Sequence, residues 1–382
     1  MRAQQYSGPV MAKGLEDTAF YRFNRFLALN EVGGQPNKFS TSITAFHQAN
    51  MERAKRTPHA MLASSTHDTK RGEDARARLA VLSELAEEWT QKVDLWHRIL
   101  RPELTDFSSI APDLNDEYAF YQILLGSWPS EMSNGSVPDP EALDAFRSRI
   151  EAAMIKAVRE AKVRTTWSTP DEEYEAAMLA FIRRALDVSL KNRFLESFVQ
   201  FQQKVASLGW RNSLVQLVLK MTVPGVPDIY QGAEYWDLSM VDPDNRRPVD
   251  FELRARSLCS EVGLRDLIEN WRQGLIKQNI MQKLLHLRDA IPELFLSGSY
   301  QPLQTGDAVC CYVRFHGDTN VAVAVQLYPS LETKSEQNGK DYFELPDSGP
   351  WRNLIDDRLI KGQSISFADI FSLLPVAVLI KE

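Results

Sequence analysis

The chain has 382 residues, of which 44% are hydrophobic and 25% charged, which is ordinary for a globular protein of two or three domains. A formal net charge of −7 argues against the basic field that general nucleic-acid binding uses. No apolar run approaches the roughly 18 residues of a transmembrane helix, and the start, MRAQQYSGPVMAKG, lacks an apolar signal core. Neither nucleic acid nor membrane is therefore an expected partner. The three cysteines, two of them adjacent at Cys310 and Cys311, make no disulfide framework. Neighbouring strand residues point to opposite faces, so reduced thiols in a cytoplasmic protein are expected.

In chain order, the first predicted element is a helix from about Asp17 to Leu29, ended by Gly33-Gly34. A second helix, FSTSITAFHQANMERAKR, stops at Thr57-Pro58, because a residue before proline is pushed out of the helical region. HAMLASSTHD is a short apolar run ending in polar groups, the pattern of a buried parallel strand with chemistry at its carboxyl end. Ala75, Leu79, Leu82, Ala86, Trp89, Val93 and Trp96 form one helical stripe, and Pro102 closes it. Amphipathic helices follow to about residue 205, one of them entered through Thr169-Pro170. Pro224-Gly225-Val226-Pro227 then breaks the chain before a second short buried strand, Pro227 to Tyr230. The Asp- and Pro-rich loop EYWDLSMVDPDNRRPVDF comes next. Beyond about residue 285, β-branched and aromatic runs are separated by Gly-Asp turns, which predicts a small antiparallel β domain.

Several residues carry candidate chemistry. His67 and Asp68 follow the first predicted strand, where a carboxylate and an imidazole suit work on a sugar. Asp68 or Thr69 equally suits an N-cap for the helix that begins near Gly72, although no Glu or Gln three residues on completes a capping box. Lys13 and Glu16 lie in a Gly-punctuated loop, where they could grip hydroxyls or form an exposed ion pair. The segment Asp242–Asp250, with Asp244 and Arg246, suits a hydroxyl-rich ligand or a loop satisfied by its own Arg–carboxylate pairs. Tyr230 and Gln231 stand at the end of the second strand, where aromatic faces could stack on sugars or belong to the core. The histidines and cysteines show no metal-ligand spacing, and no phosphate loop or nucleophile elbow is present, so neither metal nor cofactor is expected.

Taken together, GPVMAKGLEDTAFYRFNRFLALNEVGG, STHDTKRGEDARARL, NDEYAFYQILLGSWP, REAKVRTTWSTPDEEYE and PGVPDIYQGAEYWDLSMVDPDNRRPVDF resemble the malto-oligosyltrehalose synthase family, in that family's order. These enzymes are α-amylase-type (β/α)8 barrels. The resemblance implies an intramolecular transglycosylation, in which the reducing-end α-1,4 linkage of a maltodextrin becomes an α,α-1,1 linkage in trehalose biosynthesis. A retaining reaction of this kind needs a nucleophile, an acid/base and a third, stabilising carboxylate. By motif, Asp68 matches the third, with His67 binding sugar beside it. Lys70, Lys13 and Glu16 match residues that hold the reducing-end glucose, and Tyr230, Gln231, Asp244 and Arg246 complete the candidate substrate-binding set.

The motifs of the nucleophile and the acid/base should precede the His-Asp strand, yet only 66 residues stand before His67, and neither motif is among them. The expected fold is therefore an α/β partial (β/α)8 barrel holding the last strands only, with a large all-helical insertion and a carboxyl-terminal antiparallel β domain. Expected boundaries are 1–78 for partial barrel, 79–205 for the helical insertion, 206–284 for the last barrel strand, loop and helices, and 285–382 for the β domain. Such a carboxyl-terminal portion is expected to be inactive alone, with the missing barrel half or another copy of the chain as its protein partner. The alternatives are a non-catalytic module that binds glucan or complements another subunit, and part of a plain α-glucan hydrolase. Lys13, Glu16 and Lys70 favour the synthase over the hydrolase, which has less need to clamp the released glucose.

Overall fold

Short polar side chains set where several of the helices begin. Ser42, Asp113, Asp139, Asp171 and Asp250 each accept hydrogen bonds from backbone N–H groups two or three residues on. They head the helices Ile43–Arg56, Leu114–Ser127, Pro140–Ala161, Glu172–Ala185 and Phe251–Leu258. The expected Thr169-Pro170 entry thus lies just ahead of the true cap, Asp171. The computed structural model describes residues 1–101, 112–189, 191–331 and 341–382, and Pro102, the expected helix stop, lies outside them.

The chain divides into two units. The first holds residues 1–39, 67–207 and 238–247, and the second residues 40–66, 208–237 and 248–382. Helix Arg193–Thr222 is one element of 30 residues, so the helical run expected to end near residue 205 continues well past it.

The first unit is helical, and aromatic rings fill its core. Trp96 is fully buried, and its ring meets those of Trp89, Tyr121, Phe194, Phe198 and Phe201 at centroid distances of 5.5–5.9 Å. Rings at such separations add attraction beyond the area they bury. Its indole N–H donates to Ser197 Oγ at 3.1 Å, so the one polar atom is satisfied. The predicted single stripe through Trp96 is in fact three pieces: Glu73–Ala80, a 3-10 turn Val81–Ser83, and Ala86–Leu100. The break lets the adjacent Val81 and Leu82 both turn inward. The amino-terminal segment also departs from expectation. Helix covers Arg2–Pro9, widens to a π-helix over Val10–Ala19, and ends with Phe20–Arg22. Pro9, with no N–H to give, sits where the register widens. Asn24 and Leu27 beyond it are anchored by Gln122, which accepts from Leu27 N at 2.8 Å and donates to Asn24 O at 2.8 Å.

In the second unit, parallel pairing among the described residues is confined to β1 (Met61–Leu62) and β2 (Val226–Pro227). Both expected strands are shorter than their apolar runs and neither is buried, with Met61 72% exposed. Pro227, which lacks a donor, falls between the two residues that bond to the neighbour, Val226 to Ala60 O and Asp228 to Leu62 O, both at 2.9 Å. Gly225 has a φ of 131°, and a Cβ there would stand 2.7 Å from the Leu62 side chain, so the approach of the two segments requires glycine. The rest of this unit includes antiparallel sheet, from β3 (Ser299–Pro302), β4 (Val309–His316) and β5 (Thr319–Gln326) to β6 (Tyr342–Glu344), β7 (Trp351–Asn353), β8 (Leu359–Ile360), β9 (Ser364–Ser366) and β10 (Val376–Lys381). Six strands run in the order β3-β4-β5-β10-β7-β8, and β6 pairs with β9. Cys311 faces the core shared with Val313, Trp351 and Leu379, while Cys310 Sγ lies on the other face, 3.9 Å from His47 Nε2, as strand alternation requires.

Asp116, on helix Leu114–Ser127, is 9% exposed and accepts a 2.6 Å hydrogen bond from the Tyr174 hydroxyl. Burial pushes its carboxyl up to about 6, and the Tyr174 bond opposes this only in part. A raised acid binds its proton more readily folded than unfolded, so its contribution to stability is full below about pH 4 and is lost as pH rises through 6. Asp116→Asn, which keeps an acceptor for Tyr174, should therefore gain stability relative to the parent by roughly 2–3 kcal/mol between pH 4 and 7.5, measured by urea unfolding at each pH.

Candidate functional site

The loop carrying His67 and Asp68 belongs to the first unit and is held by its backbone. Glu31, 9% exposed, accepts from Lys70 N at 2.7 Å and Arg71 N at 3.1 Å, and it pairs with Arg76 at 3.0 Å. From the other side Gly72 N donates to Ser239 O at 2.9 Å, and Arg71 forms a β-bridge with Met240. Asn245 Nδ2 donates to His67 O at 3.1 Å, and Arg246 reaches the same carbonyl at 3.2 and 3.3 Å. Helix Glu73–Ala80 then begins with Gly72 at its N-cap and no side-chain cap, so Asp68 and Thr69 are not caps. The capping alternative is thereby removed, and Asp68 is left with a side chain 49% exposed.

Lys70 is the centre of the charge arrangement. Its side chain is 3% exposed, and its ammonium stands 2.8 Å from Asp17 Oδ1 and 3.6 Å from Asp68 Oδ1. The second oxygen of Asp17 accepts from Lys13 Nζ. Lys13 and Asp17 are four residues apart on one helical segment, which brings their side chains together. The segment MAKGLED is thus helix rather than the expected loop. Glu16, also expected to grip a ligand, accepts from Gly33 N at 3.0 Å and so ties this helix to the turn after it.

Burial works against the charge on Lys70, but the hydrogen bond and charge of Asp17, then the charge of Asp68, outweigh it and raise its pKa. Burial likewise works against the Asp17 carboxylate, and the hydrogen bonds from Lys13 and Lys70 bring its pKa down. Lys13 is held protonated by its bond to Asp17. At neutral pH the result is a fixed row of ammonium, carboxylate, ammonium and carboxylate. Its two outer members, Lys13 at 75% and Asp68 at 49%, keep their side chains open to solvent.

Asp244 and Arg246 serve this loop differently from expectation. Asp244, part-buried beside Arg149, accepts two bonds from its guanidinium at 2.7 and 3.0 Å and another from Met240 N at 2.8 Å. Burial pushes its carboxyl up, and the bonds from Arg149 overcome this and bring it down. Asp244 therefore shapes the segment whose Asn245 and Arg246 hold His67. Lys70, Lys13, Asp68 and Asp17 come together, His67 is exposed on the same loop, and Tyr230 and Gln231 belong to the second unit. Sequence reasoning missed Asp17 and Glu31. The four-residue spacing from Lys13 to Asp17 was a readable signal. Glu31 had none, because its partners are backbone N–H groups 39 and 40 residues away. Among the described residues, no group of three or more His, Cys, Asp or Glu could hold a metal ion, and no helix is long and apolar enough to cross a membrane.

No family model matches the chain. Over 384 aligned residues it is 34% identical to a Mycobacterium tuberculosis protein assigned as a maltooligosyl trehalose synthase, covering 100% of this chain and 45% of that protein. Among solved structures, the maltooligosyltrehalose synthase of Arthrobacter ramosus superposes with a TM-score of 0.81 at 31% identity, covering 99% of this chain and 46% of that one. A hypothetical maltooligosyl trehalose synthase from Sulfolobus tokodaii gives a TM-score of 0.77 at 33% identity, covering 99% and 46%. The chain thus spans about half the length of the proteins it matches.

Asp17→Asn leaves the ammonium of Lys70 buried with a weaker partner. It should lower the Lys70 pKa and cost on the order of 1–3 kcal/mol at pH 7. Lys13→Ala, at an exposed pair, should cost less than about 1 kcal/mol. Chemical unfolding gives both costs, and NMR of the lysine side chains gives the titration.

Proposed function

From its likeness along its whole length to maltooligosyl trehalose synthases, we propose that the chain is a portion of such an enzyme and supplies the stabilising carboxylate and the reducing-end binding groups for conversion of a terminal α-1,4 linkage into an α,α-1,1 linkage. The buried Lys70 ammonium, placed between Asp17 and the half-exposed Asp68, is the observation that carries this reading. In an intramolecular transglycosylation the cleaved glucose must be kept and turned, and water must not replace it. Groups preset on both sides of it lower the entropy of that step. Asp68, held by Lys70 and open to the ligand, is the group that stabilises the positive charge developing on the sugar. Lys13 holds hydroxyls of the reducing-end glucose, while the buried Lys70 acts through the two carboxylates it pairs with, Asp17 and Asp68. His67 adds a donor beside Asp68. Glu16 and Asp244 act at one remove, through the helix and loop they secure. The short parallel pairing of β1 with β2 is the trace of barrel strands, and the nucleophile and acid/base are not among the residues of this chain.

Incubated alone with maltopentaose, the chain is expected to leave reducing ends unchanged in a reducing-sugar assay. In calorimetry it should bind the glucan, with Asp68→Ala and Lys70→Met each weakening binding by about fivefold or more. Turnover by this chain would place a nucleophile within it and overturn the division of labour. No binding by the unaltered protein would overturn the glucan reading itself.

A further inference from the structure

Helix Pro140–Ala161 ends at Lys162, whose φ of 54° is left-handed and turns the chain into the segment Val163–Thr169. Arg22 donates to the carbonyls of Ala161 and Lys162, which the helix itself leaves without partners. Lys162 Nζ donates to Thr18 Oγ1 at 3.1 Å. Both bonds tie the turn to the segment that carries Lys13 and Asp17. Glu160, at the end of the same helix, is close enough to act electrostatically on Lys13.

Trp167 stands on this turn and is 52% exposed. Its ring is nevertheless fixed. The Arg159 guanidinium lies over it at 5.0 Å from the centroid, and the indole N–H donates to Glu160 at 3.0 Å. Arg159 is in turn held by Glu175 through two bonds of 2.8 and 2.6 Å. The backbone beneath is closed by Thr169 N donating to Thr166 Oγ1 at 2.9 Å. An indole left half open while a guanidinium and a carboxylate fix its position loses rotamer freedom without gaining burial, the arrangement of a binding surface formed in advance. Its remaining face is flat and apolar, with the Glu160 carboxylate at its edge. That combination suits a pyranose, which has an apolar C–H face and hydroxyls around its rim.

We propose that Trp167 is a stacking platform for a glucosyl unit of an α-glucan, a contact point additional to Lys13, Asp17, Lys70 and Asp68. Arg159 and Glu160 position the ring. The proposal rests on the glucan reading above. Calorimetry and tryptophan fluorescence with maltoheptaose test it on the unaltered protein, Trp167→Ala, Trp167→Tyr and Asp68→Ala. Trp167→Ala should bind about tenfold more weakly and lose the glucan-induced change in indole emission, and Trp167→Tyr should recover most of the affinity. Because the ring is exposed, the thermal midpoint of Trp167→Ala should match that of the parent, which separates lost stacking from lost folding. Unchanged affinity in Trp167→Ala, with Asp68→Ala weakened, overturns the platform and leaves the glucan reading intact. No binding by the unaltered protein overturns both.

Discussion

The candidate site depends on an ammonium placed where water cannot solvate it. Lys70 is nearly inaccessible, and its charge persists because Asp17 stands at 2.8 Å and Asp68 at 3.6 Å. A buried charge without such partners would be destabilising by several kcal/mol. Much of the surrounding structure keeps those carboxylates in place. The helical segment Val10–Ala19 presents Asp17, Glu31 binds the backbone N–H groups of Lys70 and Arg71, and Asn245 and Arg246 fix the carbonyl of His67. The constraint also explains the division between structural and exposed charge. Asp17, Asp244 and Glu31 are engaged within the protein, whereas Asp68, His67 and Lys13 remain open to a ligand.

Preorganisation of this kind suits chemistry in which a product must not escape. Because ion pairs fix the row of alternating charges in advance, binding of a ligand there need not order long flexible side chains. The loop around Asp244 contributes to the same end. Its carboxylate, held below its usual range by Arg149, stays charged and keeps the turn that aims Asn245 and Arg246 at His67. The dense run of Asp, Asn and Arg that resembles a ligand cradle is in large part the scaffold of one.

Parts of this were legible in the chain and parts were not, for physical reasons. The hairpin β4–β5 could be read directly, because alternating β-branched residues flank Gly317-Asp318 and Gly317 takes a φ of 58°. Helices headed by Asp-Pro or Asp-Glu-Glu were equally plain. The buried-strand reading of HAMLASSTHD failed because an apolar run is buried only if neighbours cover it, and among the described residues β1 pairs with one strand of two residues. The amino-terminal helix was hidden by Gly8, Pro9 and Gly14, which read as turns but sit within helical backbone. Lys13, Lys70 and Asp68 could be picked out from family resemblance, but their meeting point, Asp17, is defined by a contact 53 residues long in sequence. Glu31 lay beyond any local pattern, since its role is to receive backbone donors.

The central claim is that the Lys70 ammonium, set between Asp17 and Asp68, takes part in holding a glucan. The most direct test observes that ammonium. In protein with 15N-labelled lysine, the Lys70 Nζ resonance, assigned by its loss in Lys70→Arg, should shift and exchange with water more slowly on titration with maltopentaose, and an equal amount of a non-glucan polyol should leave it unchanged. A Lys70 signal indifferent to maltopentaose, under conditions where calorimetry registers binding, would contradict the account.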